Sequence, residues 1–132
     1  MRKIALVNQK GGCGKTTTAI NLGCCLAEKG KKVLLVDMDP QGHAGLGLGI
    51  PTDNNDKTIY EVLTGKIAPR EAVHSVRNNL DIIPSNVVLS AMEQLLAGKQ
   101  EREYQLSNKL ADLEKIYDYL IIDCPPGVGL LN

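Results

Sequence analysis

Lys10-Gly-Gly-Cys-Gly-Lys-Thr-Thr17 is the segment of this sequence in which residue types and spacing come closest to dictating a chemistry. Gly11, Gly12 and Gly14 let the chain turn tightly and bring backbone N–H groups against an anion without side chains in the way. Where such a turn opens a helix, the unsatisfied amides and partial positive charge of the helix N-terminus face the same spot. Lys15 can then reach the outer oxygens of a bound polyphosphate, and the Thr16 hydroxyl is placed to ligate Mg²⁺. Cys13 and Thr17 complete the segment expected to hold the phosphates. The common G-x-x-x-x-G-K-[ST] pattern is not met, because its first glycine would fall at Gln9. A second lysine, Lys10, stands instead at the mouth of the loop. A turn that only joined two elements would give no reason for two lysines and paired threonines.

Such a loop needs a strand before it and a helix after it. Lys3-Ile-Ala-Leu-Val7 is an apolar run of strand length, and Thr16 to Lys29 reads as a helix. Ala19, Ile20, Gly23, Leu26 and Ala27 share one helical face, and Gly30 supplies the stop. Lys32 to Asp37 reads as a buried parallel strand ending in an acid. A glycine-rich loop is expected from Met38 to Asp56, where Gly45-Leu-Gly-Leu-Gly49 lacks the spacing of a dinucleotide fingerprint. Thr58-Ile-Tyr-Glu61 is a capping box opening a short helix that Gly65 closes. Pro69 suits the first turn of another short helix, Arg70 to Val76. Leu80 to Pro84 reads as a strand, and Ser90-Ala-Met-Glu93 as a second capping box. Glu101 to Lys115 carries Leu106, Leu110 and Leu113 at helical spacing, and Tyr119 to Asp123 is a strand followed by Cys124-Pro-Pro-Gly127. Strands alternating with helices predict an α/β fold, its mostly parallel sheet flanked by helices.

In a sheet of this kind ligands sit beyond the carboxyl ends of the strands. Three acids stand there: Asp37, Asp39 just beyond it, and Asp123. Any one alone could be a helix cap or a solvated loop residue, but all three lie at the edge where the lysine-threonine loop opens. Mg²⁺ takes hard oxygens and keeps several waters, so Asp37 and Asp123, with Thr16, are the expected metal residues. Asp39 is placed to orient or activate an attacking water, and with Lys10 and Lys15 it makes the expected catalytic set.

The bulk properties set bounds around this site. A chain of 132 residues suits one domain and buries roughly two-thirds of its unfolded surface. A formal net charge of zero gives no electrostatic case for nucleic-acid or membrane binding. No apolar run reaches the length of a membrane span, and the N-terminus starts directly into a strand, so no signal peptide is expected. The four cysteines show no C-x-x-C spacing, and His43 and His74 are far from any metal-like cluster. The cysteines read as small apolar residues of a reducing cytoplasm, with Cys13 also a modifiable thiol at a helix N-terminus.

Three motifs in order, Lys10 to Thr17, Asp37-Met-Asp-Pro-Gln-Gly42 and Leu120-Ile-Ile-Asp-Cys-Pro-Pro126, resemble the deviant Walker A loop, second Asp motif and Walker B of the ParA/Soj partition ATPases. The resemblance runs from residue 1 to about 130. It implies a P-loop fold and hydrolysis of ATP to ADP and phosphate, with Mg²⁺, in chromosome or plasmid segregation. It implies an ATP-dependent homodimer in which Lys10 reaches the partner's nucleotide, and a role for Asp39 in hydrolysis. A ParB-like stimulating partner, non-specific DNA binding, and a cytoplasmic, nucleoid-associated location are implied for the intact family. The Pro-Gln after Asp39 separates the chain from MinD-like relatives, and Cys124 alone cannot supply the cluster ligands of a nitrogenase iron protein.

Departures from the family pattern accompany the match. Gly127 stands where serine is usual, and His43 where asparagine is usual. The resemblance implies members about twice this length, so residues 1–132 read as the N-terminal part of a ParA-type P-loop ATPase domain, truncated after the Walker B strand. The remainder would supply further strands, the adenine pocket and the basic DNA surface. Without it Lys3 to Val7 would keep one unpaired edge, and DNA binding by this chain is not expected. The alternative reading is a non-catalytic remnant that binds nucleotide weakly or pairs with an intact relative.

Overall fold

Val33-Leu-Leu-Val-Asp37 is apolar at both alternating sets of positions until its last residue, and such a run is satisfied only between two covered faces. In the computed structural model, which describes residues 2–7, 13–38, 57–85 and 109–124, it is strand β2 and every one of its residues is buried. The other strands are β1 (Arg2–Val7), β3 (His74–Arg77), β4 (Leu80–Ile83) and β5 (Tyr119–Cys124). They form a sheet of order β1-β5-β2-β4-β3. β1 with β5, β5 with β2, and β2 with β4 are parallel, while β3 runs antiparallel to β4. Among the described residues β1 pairs with β5.

Alternation along the strands sorts the apolar side chains into two cores. Val33, Leu35, Leu80, Ile82 and Ile121 join Ala19 and Ala27 of helix α1 (Cys13–Glu28) on one face. On the other face Leu34, Val36, Ile83 and Leu120 pack with Ile59, Val62 and Leu63 of helix α2 (Ile59–Leu63), and with Leu110, Leu113 and Tyr117. Gly23 lets α1 lie close to the sheet. A Cβ added there would sit 3.2 Å from Leu80 Cδ1, closer than side chains normally pack. Gly30 and Gly65, with φ of +83° and +81°, end the two helices in the left-handed conformation that glycine adopts without strain. At the end of α1 the Gly30 amide donates to Ala27 O (3.0 Å) and the Lys31 amide to Leu26 O (3.1 Å), the paired bonds of a Schellman cap.

The expected capping box opens α2. The Thr58 amide donates to Glu61 Oε1 (3.0 Å), and the Thr58 hydroxyl oxygen accepts from the Tyr60 amide (3.3 Å). The Ile59 amide donates to Pro84 O (2.8 Å), which fixes the helix start beside the end of β4.

Some elements differ from expectation. The helix predicted from Arg70 to Val76 is a 3₁₀ turn, Pro69–Ala72, after which the chain straightens into β3. His74, Ser75, Val76 and Arg77 alternate between half-buried and exposed, a period of two that no helix satisfies. Asn78 and Asn79 then make the turn into β4, with Asn79 at φ +65°, a conformation asparagine tolerates better than most residues. Helix α1 begins at Cys13, three residues before the expected start at Thr16. Of the helix expected from Glu101 to Lys115, the described part is a helical residue pair tightening into a 3₁₀ turn, Ala111–Leu113, with Leu110 and Leu113 buried. Leu106, the Ser90–Glu93 box, and the loop beyond Met38 lie outside the described residues.

Candidate functional site

The site begins where β1 ends and α1 starts. The first turn of α1 comprises Cys13, Gly14, Lys15 and Thr16, with Thr17 following. The amides of a first helical turn have no partner within the helix, and they carry its partial positive charge. No acidic residue in that turn offsets the charge. The expected binding residues Cys13 to Thr17 therefore open a helix of 16 residues at its positive end. Lys10, Gly11, Gly12 and Asp39 lie outside the described residues.

Two of the three expected acids are brought together. Asp37 and Asp123 end neighbouring parallel strands and stand directly opposite one another in the β2–β5 register. The side chains of Val33 and Leu35, and of Ile121, belong to the core beneath α1. Alternation puts Asp37 and Asp123, each two residues further along, on that same face. Both are 0% exposed. The Met38 amide donates to Asp123 O (2.9 Å), which carries the β2–β5 ladder one residue past the acids.

A buried carboxylate is tolerated when it is hydrogen-bonded, paired with a charge or bound to a metal. Among the described residues Oδ1 of Asp123 is buried and accepts no hydrogen bond, while the residue as a whole is otherwise engaged. Two such carboxylates are a hard-oxygen donor set suited to a divalent cation that keeps much of its water. Among the described residues no group of three His, Cys, Asp or Glu side chains comes together. Cys24 and Cys25 are free thiols, half-buried and exposed on α1.

The sequence reading placed Gly23 on the buried face of α1 but not its part in the site. By holding the helix against Leu80, Ile121 and Val33, it sets how α1 lies over the face from which both acids project. Its signal was a glycine in a helix interior, a costly choice unless something packs closely there.

A family model described as an AAA domain matches residues 1–132. The chain is 49% identical over 132 residues to the chromosome partitioning protein ParA of Myxococcus xanthus, covering 99% of this chain and 47% of that protein. It is 46% identical over 130 residues to the sporulation initiation inhibitor protein Soj of Bacillus subtilis, covering 98% and 51%. The crystal structure of cobyrinic acid a,c-diamide synthase from Mycobacterium smegmatis, with bound ATP analog and magnesium, superposes with a TM-score of 0.90 at 41% identity. That match covers 99% of this chain and 54% of the other. The chain thus spans about half the length of the relatives it matches. A mostly parallel α/β sheet, a family model matching the whole chain and identities near one half place this chain in the ParA/Soj family of P-loop ATPases.

Proposed function

We propose that residues 1–132 are the N-terminal part of a ParA-type ATPase domain that binds ATP with Mg²⁺ and hydrolyses it to ADP and phosphate in chromosome or plasmid segregation. The observation carrying this reading is the buried pair Asp37 and Asp123, projecting toward the helix whose first turn ends the Lys10–Thr17 loop. Gly11, Gly12, Cys13, Gly14 and Thr17 cradle the phosphates through their amides, and Lys15 neutralises the outer oxygens. Thr16, Asp37 and Asp123 are the residues that would hold Mg²⁺, which when bound offsets phosphate charge. Asp39 orients the water whose oxygen attacks the terminal phosphorus as the bond to ADP breaks. Lys10 reaches the nucleotide of a second copy, so turnover requires the dimer. The cell biology follows the family: a cytoplasmic protein, a ParB-like stimulating partner, and DNA bound by the intact protein rather than by these residues.

The test is titration of the full chain with a fluorescent ATP analogue, with and without Mg²⁺, followed by phosphate release. Saturable, magnesium-dependent binding is expected, lost in Lys15→Ala and weakened in Asp123→Asn. In a turning-over dimer Lys10→Ala is expected to lower the rate by about 10³-fold or more, as for a charge supplied across an interface. Binding that ignores both Lys15→Ala and magnesium would sink the reading. The alternative to be distinguished is nucleotide binding without turnover. Binding with no phosphate release, in the wild type as in Lys10→Ala, is its signature.

A further inference from the structure

Met38 follows Asp37 directly, and the two side chains leave the chain on opposite faces of the sheet. Asp37 faces the side covered by α1, with Asp123 in register beside it. Met38 joins Leu34 and Val36 in the other core, which Ile59, Val62 and Leu63 of α2 help to build. Its side chain is 2% exposed. The Met38 amide meanwhile donates to Asp123 O (2.9 Å). Residue 38 is thus held twice, by its amide across the sheet and by its side chain beneath it.

β2 ends at Asp37, and the end of a strand is where a ladder frays first. A hold on the next residue keeps the acid from being the last tethered position. The order Val36-Asp37-Met38 also fixes which face the acid takes. A slip of one residue would drive the Asp37 carboxylate into the apolar core beneath α2 and bring Met38 to the site. The packing under Met38 is itself tied down. Ile59, 0% exposed, donates its amide to Pro84 O (2.8 Å) at the end of β4, the strand beside β2. Thr58, also 0% exposed, closes the capping box with Glu61.

We infer that Met38 is a positioning residue for the acids proposed to hold magnesium, an inference that rests on the function proposed above for Asp37 and Asp123. It acts through its neighbours rather than on a ligand. Its buried side chain fixes the peptide that joins it to Asp37, and its amide fixes the end of β5 at Asp123. The two carboxylates therefore keep one relative placement before a cation arrives, and a pair arranged in advance loses less freedom on binding. The same contact makes α2 part of the support of the site, although no residue of α2 stands in the expected binding set. A methionine that only filled the core would affect stability and leave the response to magnesium alone.

The experiment is a magnesium titration of the full chain with a fluorescent ATP analogue, for wild type, Met38→Ala, Met38→Leu and Leu113→Ala. Leu113, 1% exposed in the same core, lies on the turn that precedes β5 and controls for lost packing. Met38→Ala is expected to raise the magnesium midpoint about fivefold or more, with nucleotide affinity in EDTA unchanged. Met38→Leu, which keeps volume and apolarity, should restore the wild-type midpoint. Leu113→Ala should lower the midpoint of thermal unfolding as Met38→Ala does and leave the magnesium midpoint in place. Without nucleotide, hydrogen exchange at the residue 38 amide, relative to the Val36 amide of the same chain, should quicken in Met38→Ala and not in Leu113→Ala. If Met38→Ala fails to fold, Met38→Val carries the same expectations with smaller shifts. A wild type that binds no nucleotide, or binds it regardless of magnesium, removes the metal reading and this inference with it. A magnesium-responsive wild type in which Met38→Ala shifts the midpoint no more than Leu113→Ala overturns the inference alone, as does unchanged exchange at residue 38.

Discussion

Tyr117 and Asp81 show how one polar pair is fixed by its surroundings. The ring of Tyr117 is buried against Leu110 and Leu113, which leaves its hydroxyl to find a partner, and Asp81 supplies it. Burial, then the hydrogen bond to Asp81 and its negative charge, push the phenol well above its ordinary value of 10.0. The sign follows from linkage. Below the ordinary value the phenol is protonated in both states. Above it the unfolded chain ionises first, so stability is lost as pH rises from about 10. Tyr117→Phe is expected to cost about 1–2 kcal/mol near neutrality and to flatten the alkaline fall, read from urea unfolding at pH 8 to 11. Parallel slopes for the two proteins would remove this account. The magnesium role proposed for Asp37 and Asp123 rests on burial in the same way, both being 0% exposed.

At the scale of elements, α1 is held by its small residues. Gly23→Val would drive two methyl groups against Leu80 and Ile121, at an expected cost of about 1–3 kcal/mol, measurable as a lowered midpoint of thermal unfolding. A variant as stable as the parent would mean that α1 is not closely packed at Gly23. Much of this level was legible in the chain. The face through Ala19, Gly23 and Ala27, the Gly30 stop and the Thr58–Glu61 box rest on local spacing and cap chemistry, which travel with the sequence. β3 was not read, because Pro69 and Glu71 announce a helix start and the chain keeps that promise for a single turn. Glu71 does reach back to the Ala68 amide (2.8 Å), but His74 to Arg77 then pair with β4. The alternation there and the Asn78-Asn79 pair were the available signals. Asp37 and Asp123 were found as strand-end acids, yet their direct opposition depends on β5 lying beside β2, a pairing between distant segments that local pattern cannot specify.

For the whole molecule, the sheet is stitched in an order unlike that of the chain. No helix of the described residues is long and apolar enough to cross a membrane, and both cores are built against one sheet. β5 lies between β1 and β2, with Arg2 opposite Tyr119 on one side and Val33 opposite Tyr119 on the other. The position of β5 also has a consequence in time. As the polypeptide is made, the first strand to leave the ribosome has to wait for the last described one, with nearly the whole chain as the closing loop. The β3–β4 hairpin closes through two residues and forms early. Pulse-labelled hydrogen exchange during refolding is therefore expected to protect β3 and β4 first, and β1 together with β5 in a later step. Early protection of β1 alone would contradict that order. The two strand-end acids come into register in that same late step, so the nucleotide binding proposed for this chain should be among the last properties to emerge as it is synthesised.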